Sequence, residues 1–352
     1  MASPGRKSGE KQREQKVKKH QRRALRDTNA TDHKRAKQPG RGREATEPTE
    51  IPRRGWWDIL LRTYEQLTED YVGLVAAGVA FYSLLALFPL LAAIVSIYGL
   101  FAPADVIRDH LALLGGFLPT AAIDIINDQL GALLAAGAPS LSLVFVAATL
   151  FSLWSANQGV TAMFDAMNIA YGEVEKRSFI RRRLITLLFT FAFIIFIMIS
   201  LVAIVAVPPL LAFVALPGDY YWLLSLARWP ILLVVLLTGN AIIYRYGPSR
   251  KAAQWRWLSW GSAAAAILWM LTSAGFSFYA AHFASYNKTY GSMGAIVALM
   301  TWIWLSAYIV IAGAELNAEL EHQTARDTTT GGAKPLGERG AQMADTVGAA
   351  KS

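Results

Sequence analysis

Uncharged intervals set the rhythm of this chain. A helix of about 20 apolar residues crosses about 30 Å of hydrocarbon, and five stretches free of Asp, Glu, Lys and Arg reach that length. They lie between Asp70 and Asp105, Asp128 and Asp165, Arg183 and Asp219, Arg256 and Lys288, and Lys288 and Glu315. A sixth, from Trp222 to Tyr244, carries Arg228 near one end, where a long side chain reaches the interface with its stem among apolar groups. The pattern predicts an all-α polytopic membrane protein of six transmembrane helices with flanking interfacial helices. The spans are expected at about 72–101, 141–164, 184–213, 222–244, 257–283 and 293–315.

Shorter periodicities flank the spans. Trp56, Trp57, Leu60, Tyr64 and Leu67 recur at helical spacing, with Asp58, Arg62, Glu65 and Glu69 turned elsewhere. Two readings stand open: a helix lying in the cytoplasmic headgroup layer, or one packed on the bundle. In the next connection Ile123, Ile126, Leu130, Leu133 and Leu134 oppose Asp124 and Asp128, which predicts a second interfacial or capping helix. Pro89 is expected to kink the first span, and Pro208 with Pro209 to end or bend the third. Small residues four apart, Gly73 with Ala77, Ala76 with Ala80, Gly291 with Ala295 and Gly294 with Ala298, permit close helix approach. The segments AGVAFYS (77–83) and AGFSFYA (274–280) echo each other; so biased a composition repeats by chance.

Loop charge orients the spans. The connection 165–183 holds Lys176, Arg177, Arg181, Arg182 and Arg183, and 245–256 holds Arg245, Arg250, Lys251 and Arg256. The alternate connections hold Arg108, Arg228 and Lys288, while Arg53, Arg54 and Arg62 precede the first span. By the positive-inside rule both termini are cytoplasmic.

Composition agrees: 54% hydrophobic and 17% charged residues indicate a membrane protein rather than two soluble domains. Residues 1–50 carry fifteen Lys or Arg against seven Asp or Glu, so basicity belongs to this tail. Residues 1–50 and 323–352 are poor in large apolar side chains, and both are expected to be disordered cytoplasmic tails around a transmembrane domain at 51–322. The start of the chain has no early apolar stretch or small-residue cleavage site, so the first span is expected to act as its own targeting signal. Cysteine is absent, which removes disulfides and thiolate chemistry. His20, His33, His110, His282 and His322 show no metal-ligand spacing, and no GxxxxGK[ST] loop is present. Neither metal-dependent nuclease activity, a cofactor nor nucleotide hydrolysis is expected.

Three stretches carry a family resemblance. They read AAGVAFYSLLALFPLLAAIVSIYGLF from Ala76 to Phe101, LWSANQGVTAMFDAMNIAY from Leu153 to Tyr171, and YGSMGAIVALMTWIWLSAYIVIAGAELNAEL from Tyr290 to Leu320. The chain resembles the virulence factor BrkB and YihY family of bacterial inner-membrane proteins, once mislabelled ribonuclease BN, over about residues 55–322. The GAELNA ending is its most specific part. The resemblance implies an inner-membrane location and a six-helix body, with general links to resistance to host killing and to envelope lipid transport. It implies no catalytic residue set, and the basic tail lies outside it.

Polar residues inside spans are the candidate functional groups, because hydrocarbon penalises them unless they face a partner or water. Asn157, Thr161, Asp165 and Asn168 share about a quarter of the circumference of the second span. On the last span Thr301, Tyr308 and Glu315 recur every seven residues, and Glu319 continues that face. Either the two sets form a polar seam lining a substrate path, or Asn and Thr are interhelical glue and the acids sit at the surface. Asn240 is read as a structural amide. Glu315, which ends a 26-residue uncharged interval, is the leading candidate, and Glu319, one turn nearer water, is expected to tolerate loss of its charge. The function expected is transport or handling of a lipid or lipid-like envelope substrate; the alternative is a non-transporting scaffold or regulator of envelope assembly. Membrane lipids are the expected partners, with anionic headgroups at the basic tail and no specific nucleic acid.

Overall fold

The computed structural model describes residues 30–98, 143–213, 221–283 and 292–351. Seven helices carry the fold: α1 (Arg53–Glu69), α2 (Val72–Tyr98), α3 (Leu143–Ala170), α4 (Phe179–Phe213), α5 (Tyr221–Tyr246), α6 (Ser259–Phe283) and α7 (Ser292–Gln323). The four-residue α8 (Gln342–Asp345) follows. No strand occurs among the described residues, which hold one isolated bridge, Ala253 with Thr329.

Helices α2 to α7 stand where the uncharged intervals predict spans. Over the described residues, length and apolarity mark two segments as able to cross a membrane, Phe179–Ile199 and Ile296–Gln323. A third is added if α1 and the first part of α2, which meet at 60°, count as one broken span. That is fewer than the six expected, because several uncharged intervals are rich in Ser, Gly and Ala or run into residues outside those described. The helix expected within 123–134 also lies outside them. Helices α2 and α4 continue through Pro89 and through Pro208 and Pro209 to Tyr98 and Phe213, so these prolines do not end their helices.

The main core sits at one end of the bundle, where α2 and α6 begin and α3, α5 and α7 finish. Val72, Ala76 and Val79 of α2 pack there with Ala166, Met167 and Ala170 of α3, Tyr244 of α5, Ala265 of α6, and Ala307, Ile311, Ala314 and Ala318 of α7. Ala76 lies on one of the predicted small-residue faces, but the closest crossing was not among those predicted. A Cβ on Gly313 of α7 would stand 2.8 Å from Ala265 Cβ and 2.5 Å from Tyr244 Oη, and one on Gly261 of α6 would strike the Gly313 carbonyl. Only glycine admits backbones this close. Asn317 completes the junction: its Oδ1 accepts from Gly261 N (2.8 Å) and its Nδ2 donates to Leu258 O (3.2 Å).

Helix α1 packs on α7, and it does so with inverted polarity. Asp58 and Arg62 are buried beside Gly55 and Ile59, while Trp57, Leu60 and Tyr64 are exposed. Tyr71, with φ 49°, turns the chain into α2 in a backbone region that costs a non-glycine residue about 1–2 kcal/mol.

Both terminal segments differ from the disorder expected of them, over residues 30–50 and 324–351. Together they cap the end of the bundle that holds the core. Thr324 Oγ1 donates to Ala45 O (2.6 Å), Ala325 N to Arg43 O (2.8 Å), Gln254 N to Thr328 O (2.9 Å) and Gln342 N to a Glu173 carboxylate oxygen (2.7 Å). Arg339, buried, donates to four carbonyls, of Ala325, Arg326, Lys334 and Ala344. Low hydrophobicity misleads here because arginine side chains from distant segments, rather than an apolar face, satisfy the backbone of these residues.

Candidate functional site

The last two turns of α7 run eight residues past the predicted end of the span at 315, and they are buried. Glu315, Asn317, Glu319, Leu320, Glu321 and Gln323 are all at most 1% exposed. A buried carboxylate is costly without a cation or several donors, so each acid needs a partner.

Two of the three have one. Glu319 pairs with Arg62 of α1 at 2.5 Å, and the same guanidinium reaches Gln323 Oε1 at 2.8 Å. His322 Nδ1 lies 3.4 Å from the same carboxylate. Glu319 is thus inside the protein, not one turn nearer water. Glu321 pairs bidentately with Arg250 at 2.6 and 2.9 Å, both side chains fully buried, and accepts from Thr328 Oγ1 at 2.8 Å. The Arg250 guanidinium stacks 4.5 Å over the Tyr171 ring.

Glu315 has no cation beside it among the described residues. The group beside it is the carboxyl of Asp70, at the junction of α1 and α2, and apart from that carboxyl neither Glu315 oxygen has a hydrogen-bond partner. Burial, with Glu69 and Glu319 adding to it, holds Asp70 above its ordinary carboxyl range against the opposing effect of the hydrogen bond to Glu315. A buried carboxyl and a half-buried one therefore meet with no cation placed to balance two negative charges among the described residues. Among the described residues no group of three His, Cys, Asp or Glu is placed to hold a metal ion.

The other predicted seam residues lie apart from this pair. Asn157 faces α4, donating to Thr186 Oγ1 (3.1 Å) and accepting from Thr190 Oγ1 (3.0 Å). Thr161 returns its hydroxyl to Asn157 O (2.9 Å) and Thr301 to Val297 O (2.8 Å). Asp165 is exposed and meets Arg182 at 2.5 Å. Asn168 ties two loops together, accepting from Ser249 N (2.7 Å) and donating to Glu175 (3.2 Å). Tyr308 packs its ring against Trp304, 6.0 Å between centroids. Asp70, Arg62 and Arg250 were missed as site residues. For Asp70 a signal existed: it opens the first uncharged interval as Glu315 closes the last, which puts both at one level of the bundle.

Glu175, outside the spans, shows how a paired acid behaves. Burial alone would raise its carboxyl, but the Arg177 side chain and backbone, with Ser249 and Asn168, outweigh this and lower it to about 2.

Comparison with known proteins agrees with the resemblance in the three motif stretches. The family described as virulence factor BrkB matches residues 63–336. The ribonuclease-like protein YfkH of Bacillus subtilis (strain 168) is 32% identical over 257 residues, 70% of this chain and 88% of that protein. A UPF0761 membrane protein of Pseudoalteromonas translucida (strain TAC 125) is 27% identical over 281 residues, 78% of this chain and 88% of that protein. No solved structure matches. The chain belongs to the virulence factor BrkB family, a family of membrane proteins.

Proposed function

We propose that this member of the virulence factor BrkB family moves or holds a lipid or lipid-like envelope substrate in the bacterial inner membrane, and that it does so without catalysing a reaction. The observation that carries the reading is the Asp70–Glu315 pair, a fully buried acid beside a half-buried one with no cation among the described residues, at the end of a helix bundle. Such a pair costs stability, and ionisable groups among membrane helices mark substrate, ion or proton paths more often than they serve packing. A bound proton, a cation or a polar headgroup supplies the missing partner, and Glu315 is the group that meets it.

Six spans with both ends in the cytoplasm fit this reading. The loops of residues 171–178 and 247–258, together with the start of α4, carry eight Lys or Arg, and α2, α4 and α6 begin at the end where α3, α5 and α7 finish. Exposed Leu184, Leu188, Ile231, Val234, Leu271 and Phe278 give the bundle an outer surface suited to lipid tails.

The test is Glu315→Gln, which keeps the shape and removes the charge. Cells lacking their own copy should not regain envelope integrity with this variant, although it inserts at normal abundance, and the lipids that copurify with it should differ from those of the unsubstituted protein. Full complementation by Glu315→Gln would instead support the scaffold reading, which needs the fold and not the acid.

A further inference from the structure

A second uncompensated charge lies in the terminal cap, and it is positive. Arg43 is 2% exposed, and no carboxylate pairs with it among the described residues. Its Nη1 donates to Gln323 O (3.0 Å), its Nη2 to Gln38 Oε1 (3.0 Å) and Gly348 O (2.7 Å), and its Nε has no partner. Its neighbours are cations too. Arg41 is taken by Asp58 (2.6 Å) and Arg62 by Glu319 (2.5 Å). Burial first, then Arg62, lower the Arg43 guanidinium to about 10, with Asp58 opposing and Arg41 and Arg35 adding.

Residues 347–351 cover this cluster as a strap. Arg35 donates to Val347 O (3.1 Å), Arg62 to Ala349 O (2.9 Å) and Arg41 to Lys351 O (3.4 Å), while Asp58 accepts from Lys351 N (2.8 Å). Gly348 lies so close that a Cβ there would stand 2.6 Å from Arg62 Cζ. Backbone carbonyls thus occupy guanidinium donors whose geometry matches an oxyanion better. Beside the strap, Arg43 lines a cavity of about 570 Å³ with Lys37, Gln38, Gly42, Glu44 and Glu50. Glu50 is turned onto the Thr46 amide and hydroxyl, and Glu44 is exposed.

We propose that the Arg43 cavity is a binding site for the phosphate of a phospholipid headgroup, and that residues 347–351 are a displaceable self-ligand that holds it closed. A lipid rather than a soluble phosphate is favoured by position. The cavity wall leads through Pro52 directly into α1, whose exposed face carries Arg53, Arg54, Trp57, Leu60 and Tyr64, a mixture that suits the headgroup layer. The site stands apart from Glu315.

Binding of a water-soluble short-chain phosphatidic acid to the full chain in detergent tests the proposal, with inorganic phosphate as the second probe. Arg43→Gln should weaken binding about tenfold or more, the loss of a charge-assisted hydrogen bond. Arg43→Lys, which keeps the charge and loses the fork, should weaken it less, and serves if the glutamine variant fails to fold. Gly348→Val, which crowds Arg62 and loosens the strap, should tighten binding. A folded Arg43 variant that binds as the unsubstituted protein does would overturn the site. Unchanged or weaker binding by Gly348→Val would overturn the strap, and inorganic phosphate binding as tightly as phosphatidic acid would overturn the lipid assignment. Glu315→Gln should bind phosphatidic acid normally, so failure here and failure of the transport reading are told apart.

Discussion

The polar faces of α3 and α7 look alike in sequence and behave differently in the fold. On α3, Asn157 is closed off by Thr186 and Thr190, Asn168 by Ser249 and Glu175, and Asp165 by Arg182. Every one of these groups has a local answer. On α7, Glu319 and Glu321 have buried arginines, and Glu315 has another acid. Polarity inside a membrane helix therefore marks two different things: glue where donors and acceptors match, and a vacancy where like charges meet. Among these buried groups Glu315 is the one whose partner has the wrong sign.

The comparison breaks most readily at Arg62. Arg62→Ala leaves Glu319 buried with only the His322 ring beside it, and breaking a buried pair costs about 3–5 kcal/mol; thermal unfolding in detergent should show it as the largest loss in the series. Replacing Arg62 and Glu319 together with leucines should recover much of that loss. If the double variant is as unstable as the single, the pair is not the cause.

A smaller loss is expected on α3. Asn157→Leu removes the two hydrogen bonds to Thr186 and Thr190, worth about 1 kcal/mol together in a membrane interior, and should leave envelope function intact. Loss of function at normal stability would move this face out of the glue class.

Glu175 tests the paired class by pH. Its folded carboxyl is lowered from 4.5 to about 2, so its contribution to stability is fully present above about 4.5 and is lost as pH falls toward 2. Unfolding midpoints should drop across that window for the unsubstituted protein, and the Glu175→Gln variant should lack this part of the drop. Glu315→Gln sets the low end of the series: it removes a charge that has no cation, so its unfolding midpoint should stay level or rise. A loss comparable to that of Arg62→Ala would put Glu315 in the structural class.

Much of this was legible in the chain because hydrocarbon imposes a one-dimensional rule. Intervals without charge placed α2 to α7, and GAELNA marked the turn of α7 where the buried acids begin. The partners were not legible. Asp58 and Arg62 were read as turned away from the apolar face, correctly, yet that side of α1 is the inner one. In a helix lying against lipid the apolar side faces out, so periodicity names two faces without saying which is buried. The terminal segments were misjudged for a related reason. Composition measures apolar area, whereas residues 324–351 are held by arginines such as Arg43, Arg62 and Arg339 reaching backbone carbonyls.

What the sequence determined by itself is the helical, membrane-protein class of the chain, the places of its long helices and the position of Glu315 as a charge at the end of an apolar run. What only the tertiary structure decided is which charges meet: Glu319 with Arg62, Glu321 with Arg250, Glu315 with Asp70, and Arg43 with no carboxylate among the described residues. Span placement is a local property, because the cost of exposing a helix to hydrocarbon accumulates residue by residue along one segment. Charge pairing joins residues as far apart as Arg62 and Glu319, 257 positions along the chain, and its sign is set by how the helices are turned against one another.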